Sequence, residues 1–509
     1  MKSRYDIVII GGGVIGCSIA RALSRYKLDI LLLERGPGVA WGISRANSGV
    51  IHAGYANKPG SLKARLCVQG NSMFDTFASE LNVPFRRVGK LVVGNGEDGL
   101  QGIERLMAQG DLNGVPGLST LSGQKAIRSV EPNLTADHAM VSTTSGITDP
   151  VLLTIALAEN AHLNGVDFLL ESEVTKITGG GGAGVDGEGF TITTPHGPIH
   201  STCIINSAGM HSDRISAMAG DNRFTIHPCR GEYFVLDKSV GHLIGRMIYP
   251  VPPKDQRVLG IHLTPTIDGN ILIGPSAEFI DHRDDLATTR DVMQTLLREA
   301  KDLLPPIPEK TVIQSFSGLR PKLNDPSSPT VGDFIIEESP KVPGLINLLG
   351  IESPGLTSSP ILPSLVIDIL RDITELREKD STSWNPGSPS RKRFAEMKTR
   401  ERATLISGDS DHGHIVCRCE HVTKREVEQA LDNPLGGRSL MSVKMRTRAT
   451  MGRCQGGFCT PRIIGIMQER GINPDTITLK GGTSSLFLTR AGSGRKIDDR
   501  DPEGGGSHD

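Results

Sequence analysis

Four cysteines near the C-terminus carry the most specific chemical signal in this chain. Cys417 and Cys419 form C-x-C; after 34 residues, Cys454 and Cys459 form C-x4-C. Two thiolate pairs from two loops give four soft ligands around a small space, a donor set suited to zinc or a [2Fe-2S] cluster. Zinc knuckles usually use C-x2-C pairs, so this spacing favours the cluster. Gly452, Gly456 and Gly457 bring backbone N–H groups beside the sulfurs, and Arg446, Arg448 and Arg453 bring charge that offsets four thiolates. The other cysteines, Cys17, Cys67, Cys203 and Cys229, are scattered through apolar or mixed segments and read as buried inert thiols. Such clustering points to a metal centre, not to a disulfide framework.

A second constellation lies at the opposite end. The apolar run Ile7 to Ile10 leads into Gly11, Gly13 and Gly16, a G-x-G-x-x-G turn. Helical spacing follows, with Val14 and Ile15 opening it and Ile19, Ala22 and Leu23 continuing it. Gly11 permits the turn, Gly13 admits a pyrophosphate to the backbone, and Gly16 lets helix and strand pack closely. The helix N-terminus offers free N–H groups and a positive dipole end to phosphate. A second apolar run ends at Glu34, 23 residues after Gly11, where a carboxylate accepts from a ribose 2′-OH. Arg35 follows it. FAD and NAD share this fingerprint.

These two sites must be carried by a substantial scaffold. The 509 residues suffice for two to four domains. A net charge of -1 gives no electrostatic case for nucleic acid or an anionic membrane. No apolar run reaches the roughly 20 residues of a membrane span, so a soluble cytoplasmic protein is the expectation.

Taken in order, the elements suggest an α/β nucleotide-binding domain interrupted by an antiparallel sheet. Residues 41–71 begin as a loop holding Ser48, Gly49, Val50 and His52, then become a helix from about Ser61 to Leu81. Helices are also expected at about 150–163, 288–304 and 361–374. Residues 167–206 read as strands around a Gly-rich tip at 179–189, closing in Ser207-Ala208-Gly209, a turn small enough to approach a nucleotide. Alternation over 224–275, with a turn at Asp268-Gly269, reads as an antiparallel substrate-capping sheet. The turn from Gly350 through Gly355, Leu356 and Thr357 supplies another helix N-terminus for a ligand. Thr423 and Glu426 form a capping-box signature opening a helix in the cysteine region.

These motifs carry a resemblance. ANSGVIHAGYANKPGSLKARLCVQGN, RGEYFVL, YPVPP, GIHLTPTIDGNILIGP and GIESPGLTSSP are similar to D-amino-acid-oxidase-type FAD-dependent oxidoreductases. Within that type they resemble anaerobic-type glycerol-3-phosphate dehydrogenases and L-2-hydroxyglutarate dehydrogenases. HIVCRCEHVT and RTRATMGRCQGGFC resemble the BFD-like [2Fe-2S] domain that is fused to the former. The resemblance implies a Rossmann-like FAD-binding domain with an inserted antiparallel substrate domain and a small helical C-terminal domain. Its FAD-binding parts fall at about 1–80, 145–220 and 330–375, and its substrate-domain parts at about 85–140 and 224–330. The BFD-like domain is expected at 413–475; by composition, residues 376–412, charged and rich in Ser and Pro, are expected to form a linker that wraps the first domain, and 494–509 to form a disordered tail.

For function, the resemblance implies FAD in place of NAD and hydride transfer from a substrate C–H. Arg320 maps to the arginine gripping an anionic substrate, consistent with its bidentate geometry. His52 maps to the flavin neighbourhood, Arg230 and His262 to the substrate side, and His262 is the expected base. Gly11, Gly13, Val14, Ile15, Gly16, Glu34, Arg35, Ser48, Gly49, Val50, Ala208, Gly209, Gly350, Gly355, Leu356 and Thr357 make up the expected FAD contacts. The turn Gly350 to Gly355 lacks the lysine of the G-G-K-L-T turn in membrane-type glycerol-3-phosphate dehydrogenases, which leaves a carboxylate substrate open. The expected reaction is oxidation of glycerol 3-phosphate, then of an L-2-hydroxy acid such as 2-hydroxyglutarate, then of an amine or imino acid. Electrons would pass through the [2Fe-2S] cluster to an acceptor protein or quinone-linked subunit, in a possible hetero-oligomer. A non-catalytic electron-transfer or scaffold subunit is the alternative class.

Overall fold

The strand Arg4–Ile10 is the axis of the larger α/β half, in a computed structural model that describes residues 2–180, 189–252, 260–328, 332–380, 382–388 and 392–487. It pairs in parallel with Ile30–Leu33 on one side and Gly197–Asn206 on the other. Gly197–Asn206 is long enough to serve two neighbours. Its first half pairs antiparallel with Phe190–Thr194, and its second half pairs in parallel with Leu345–Leu349. All four residues of Ile30–Leu33 are buried, as continuous apolar runs in parallel sheets require. The helix Val14–Leu23 packs on this sheet beside Pro150–Leu163 and Leu362–Ile373, and Ile19, Leu23, Leu153, Leu157 and Val366 fill the layer between them.

The second sheet draws on two separated stretches. His227–Leu236 pairs antiparallel along its length with Val312–Lys322. The hairpin Leu263–Pro265/Ile271–Ile273 continues the sheet, with Gly269 at φ +89° in its turn. Met247–Pro250 joins in parallel to Lys90–Gly94, which pairs antiparallel with His138–Ser142. That one parallel pair joins the segments before and after the nucleotide half's middle portion.

The segment after Leu362–Ile373 runs back across the α/β half as a strap. Lys27 N–H donates to Arg377 O at 2.8 Å, and Lys379 N–H donates to Arg25 O at 2.7 Å. Trp384 Nε1–H donates to Ser24 Oγ at 3.0 Å under the Arg25 guanidinium. The expected linker also contains a helix, Thr399–Gly408. Its Ser, Pro and charge content masked this, and Glu401 accepting from Lys398 N–H holds the first turn. The expected tail at 494–509 lies outside the described residues, as do residues 181–188 of the Gly-rich tip. Among the described residues, no helix is long and apolar enough to cross a membrane.

Candidate active site and thiolate centre

Gly11 and Gly16 bring strand, helix and turn into contact closer than any side chain allows. Gly11 has φ +112°, and a Cβ there would lie 2.5 Å from Ser207 O. A Cβ on Gly16 would lie 2.0 Å from Gly11 O. Gly13, in extended conformation, caps the helix without a side chain, while Val14 N–H donates to Ser44 Oγ at 2.9 Å. Glu34 accepts from the N–H groups of Gly12 and Gly36, both at 2.7 Å. Burial pushes its carboxyl up, and these backbone donors oppose the shift. A carboxylate has about four acceptor positions, so two remain for a ribose.

From this cradle a cavity of about 390 Å³ runs between the two sheets. Of the expected nucleotide contacts, Gly11, Gly13, Val14, Ile15, Glu34, Arg35, Ser48, Val50, Ala208, Gly209, Gly355 and Leu356 line it, with His52, His262 and Arg320. Gly16, Gly49, Gly350 and Thr357, also expected as contacts, do not line it. A Cβ on Gly49 would meet Thr148 O at 2.3 Å, and Thr357 Oγ1 accepts from His52 N–H at 2.9 Å.

Arg230 is not brought into the cavity. Its guanidinium is buried and bonded to Glu278 and Asp285 at 2.8 and 2.7 Å, with Glu232 at 3.5 Å. Three carboxylates consume the charge expected for substrate.

Arg320 differs. Its guanidinium donates to Ser276 O at 3.1 Å and reaches Cys229 Sγ at 3.7 Å, and among the described residues no carboxylate lies within ion-pair distance. Burial opposes its charge, Tyr233, Cys229 and, at longer range, the Glu352 carboxylate favour it, and its pKa is raised on balance. Gly231, in the facing strand, makes room for it: a Cβ there would lie 2.7 Å from Nη2. Nearby, Glu352 in the Gly350–Gly355 turn is bonded to Lys63 at 2.8 Å and Lys322 at 2.9 Å. The Asp333 carboxylate accepts from the Leu62 and Lys63 N–H groups beside this pair at 2.7 and 2.9 Å, and of these charged groups only Glu352 lines the cavity.

The two imidazoles sit in different settings. His262 lies under Tyr249, ring centroids 3.4 Å apart and planes 11° from parallel. His52 has a partner at each nitrogen: Ser353 Oγ 3.4 Å from Nε2, and Lys90 Nζ 3.4 Å from Nδ1. Burial, Lys90 and His262 together lower His52 well below the usual imidazole value, so it is neutral near pH 7. Lys90 itself carried no signal in the sequence. A lysine opening the strand KLVVG reads as a solvated edge residue, yet it is 1% exposed. A further signal is aromatic: of only five tyrosines, Tyr233 and Tyr249 line this end of the cavity and Tyr55 lies 5.7 Å from Lys90 Nζ behind it.

The four C-terminal cysteines converge as two pairs, each drawing one member from each motif. Cys419 Sγ lies 3.7 Å from Cys454 Sγ. This is close to the spacing of two thiolates on one tetrahedral metal with bonds of about 2.3 Å. Cys417 is hydrogen-bonded to Cys459, which lowers its thiol to about 6. Backbone N–H groups of Gly456 and Phe458 bond Cys454, and those of Cys419, Glu420 and Thr450 bond Cys417. Gly452 is needed beside them, since a Cβ there would lie 2.2 Å from Cys419 Cβ. Two sulfur pairs cradled by backbone donors fit a two-iron cluster. Among the described residues, no three His, Cys, Asp or Glu side chains share a single-ion site. The capping box is formed, with Thr423 N–H donating to Glu426 at 2.8 Å.

The arginines expected to neutralise the thiolates are engaged elsewhere. Arg446 donates to Leu435 O at 2.5 Å. Arg448 pairs with Asp268 at 2.7 Å and Glu420 at 3.0 Å. Arg453 reaches Asp237 at 3.0 Å. Arg448 and Arg453 dock the cysteine domain onto the antiparallel sheet.

A phosphate cradle opening onto imidazoles and a guanidinium with no carboxylate partner among the described residues, with a thiolate centre docked alongside, defines a redox enzyme of the flavin-binding class. Residues 6–368 match the family model described as FAD dependent oxidoreductase. Residues 415–469 match the BFD-like [2Fe-2S] binding domain. A protein named glycerol 3-phosphate dehydrogenase from Caloramator mitchellensis is 41% identical over 488 residues, covering 95% of this chain and 98% of that protein. The mitochondrial L-2-hydroxyglutarate dehydrogenase of Arabidopsis thaliana is 31% identical over 402 residues, 70% of this chain and 82% of that protein. The dithionite-reduced L-alpha-glycerophosphate oxidase of Mycoplasma pneumoniae, with FAD bound, superposes with a TM-score of 0.69 at 30% identity, covering 76% of this chain and 99% of that one. The chain belongs to the FAD-dependent oxidoreductase family and carries a BFD-like [2Fe-2S]-binding domain.

Proposed function

We propose that this enzyme is a dehydrogenase of a small anionic alcohol, glycerol 3-phosphate first, that passes electrons through its [2Fe-2S] domain to a one-electron acceptor. The observation that carries this reading is Arg320, a cavity guanidinium with no carboxylate partner among the described residues, facing the same space as two imidazoles. A fixed, desolvated arginine suits phosphate or carboxylate. The 41% relative named for glycerol 3-phosphate spans both halves of the chain and supports phosphate. The turn at Gly350 lacks the expected lysine, and Lys63 and Lys322 are both paired with Glu352, so Arg320 is the anion anchor of this reading.

FAD, when bound along Gly11 to Glu34 and into the cavity, supplies the hydride acceptor. The protein's own part is to hold and deprotonate the alcohol. Arg320 anchors the anionic end. His52, neutral and flanked by Ser353, takes the hydroxyl proton through Nε2, with Lys90 Nζ 3.4 Å from its other nitrogen to receive a proton in turn. Cys417, Cys419, Cys454 and Cys459 hold the cluster, which would divide an electron pair into single electrons.

Anaerobic mixing with a substrate panel tests the reading. Bleaching of flavin absorbance by glycerol 3-phosphate is the expected result. Bleaching by L-2-hydroxyglutarate instead selects the second reading, favoured by the 31% relative and the missing lysine. Bleaching only by imino acids, or by nothing, overturns both.

A further inference from the structure

Lys90 is buried, yet it faces no acid among the described residues. Its Nζ lies 3.4 Å from His52 Nδ1 and 3.9 Å from the Tyr249 ring centroid. The Tyr55 ring lies 5.7 Å away. The other titratable group facing it is the Cys67 thiol, itself pushed up to about 12 by burial. Beyond Tyr249 stands His262. Lys90 does not line the cavity; His52 stands between it and the substrate side.

We propose that Lys90 is the proton-holding residue of the reaction, acting through His52 without touching the substrate. The proposal rests on the reading of an alcohol dehydrogenase given above. In the ground state Lys90 is an amine accepting from His52 Nδ1–H, which leaves Nε2 as a base beside Ser353. When the carbinol C–H leaves with its electron pair as hydride to the flavin, the hydroxyl proton moves to His52 Nε2. The Nδ1 proton moves to Lys90 Nζ. The C–O bond becomes C=O, His52 ends neutral in its other tautomer, and Lys90 ends as an ammonium. Its charge then offsets the negative charge delivered with the hydride.

The setting fits. Burial lowers Lys90 to about 7, so amine and ammonium are both accessible near neutral pH. A permanently charged lysine would instead donate to Nδ1, turn Nε2 into an N–H donor, and remove the base. The tyrosine rings tolerate either state, the ammonium gaining a cation–π contact with Tyr249.

The test uses the holoenzyme and Lys90→Met and Lys90→Arg. In stopped-flow anaerobic reduction, wild type shows a rate rising through an inflection near pH 7. Both variants lose the inflection and fall on the order of 100-fold in rate, with substrate dissociation constants within a few-fold of wild type. A variant that keeps the wild-type pH profile overturns the proposal. A second arm needs no substrate. An amine that folds neutral makes wild type gain unfolding temperature relative to Lys90→Met as pH rises from about 7 towards 10, because the unfolded chain binds the extra proton there. A flat difference overturns the proposal whatever the substrate. If that arm holds and no alcohol bleaches wild-type flavin, the functional reading has failed, and the proton-holding role falls with it.

Discussion

Arg448, in the left-handed residue that ends the helix Leu440–Thr447, reaches across to Asp268 at 2.7 Å. Arg393, from the segment joining the two regions, meets the same carboxylate. Three parts of the chain therefore meet on one hairpin turn. Both cations keep Asp268 below the usual carboxylate range despite burial. The Asp268 side chain is 5% exposed, and its removal leaves two largely buried arginines with one carboxylate each, Glu420 for Arg448 and Glu396 for Arg393.

Asp268→Asn is accordingly expected to loosen the cysteine domain. Flavin reduction by substrate should stay within a few-fold of wild type. Turnover with a one-electron dye should drop about tenfold or more, and limited proteolysis should release the C-terminal region sooner. Equal loss in both assays would show that the contact supports the whole fold and not docking.

Arg320→Ala removes the anion anchor. Charge-assisted hydrogen bonds contribute about 1.5–3 kcal/mol each, so kcat/KM should fall on the order of 10- to 100-fold for each bond lost, with FAD absorbance retained. Gly231→Ala is the finer probe. Its Cβ would lie 2.7 Å from Nη2 and 3.0 Å from Nη1, which displaces the guanidinium while keeping its charge. A raised KM with kcat little changed is expected; wild-type kinetics would show that the guanidinium position does not matter.

Gly16→Ala tests the nucleotide cradle. The added carbon meets backbone oxygen at 2.0 Å, and backbone cannot swing aside as a flexible side chain can. Purified variant should carry little FAD or fail to accumulate, whereas Gly465→Ala, a helical glycine with open space around its Cβ, should be indistinguishable from wild type.

His211 supplies a pH signature. Burial, then Arg35, lowers it to about 4. The unfolded chain takes this proton near 6.5, so between about 4 and 6.5 it binds more protons than the folded one, and stability falls as pH drops through that window. His211→Gln should flatten this part of the melting-temperature curve. The effect will be small because the side chain is partly solvated, and an unchanged slope rejects the assignment.

What was legible in the sequence followed from short-range rules. Gly11, Gly13 and Gly16 announce a turn because no other residue fits; Cys417, Cys419, Cys454 and Cys459 stand out by spacing; Ser61 and Thr423 mark helix starts through local hydrogen bonds. Long-range partnerships were hidden. Arg230 and Arg320 look alike in sequence, and only the pairing of their two strands with Glu278 and Asp285 near one of them decides which guanidinium is free. Lys90 and Asp268 were silent for the same reason: a strand's first lysine and a hairpin's Asp-Gly turn have ordinary surface explanations, while Lys90 is covered by His52 and Tyr249 and Asp268 by Arg393 and Arg448, contacts no local pattern announces.

The strap has a consequence for how the molecule is made. Arg25, Tyr26 and Lys27 leave the ribosome early, but the residues that cover them, Arg377 to Lys379, are 352 positions later. At roughly 5–20 residues per second, that edge of the nascent nucleotide unit stays open for about 18–70 s. While the intervening chain is made, the Lys27 N–H and the Arg25 carbonyl are available to whatever chaperone or neighbouring chain arrives first, and they are covered only once Arg377 to Lys379 have emerged.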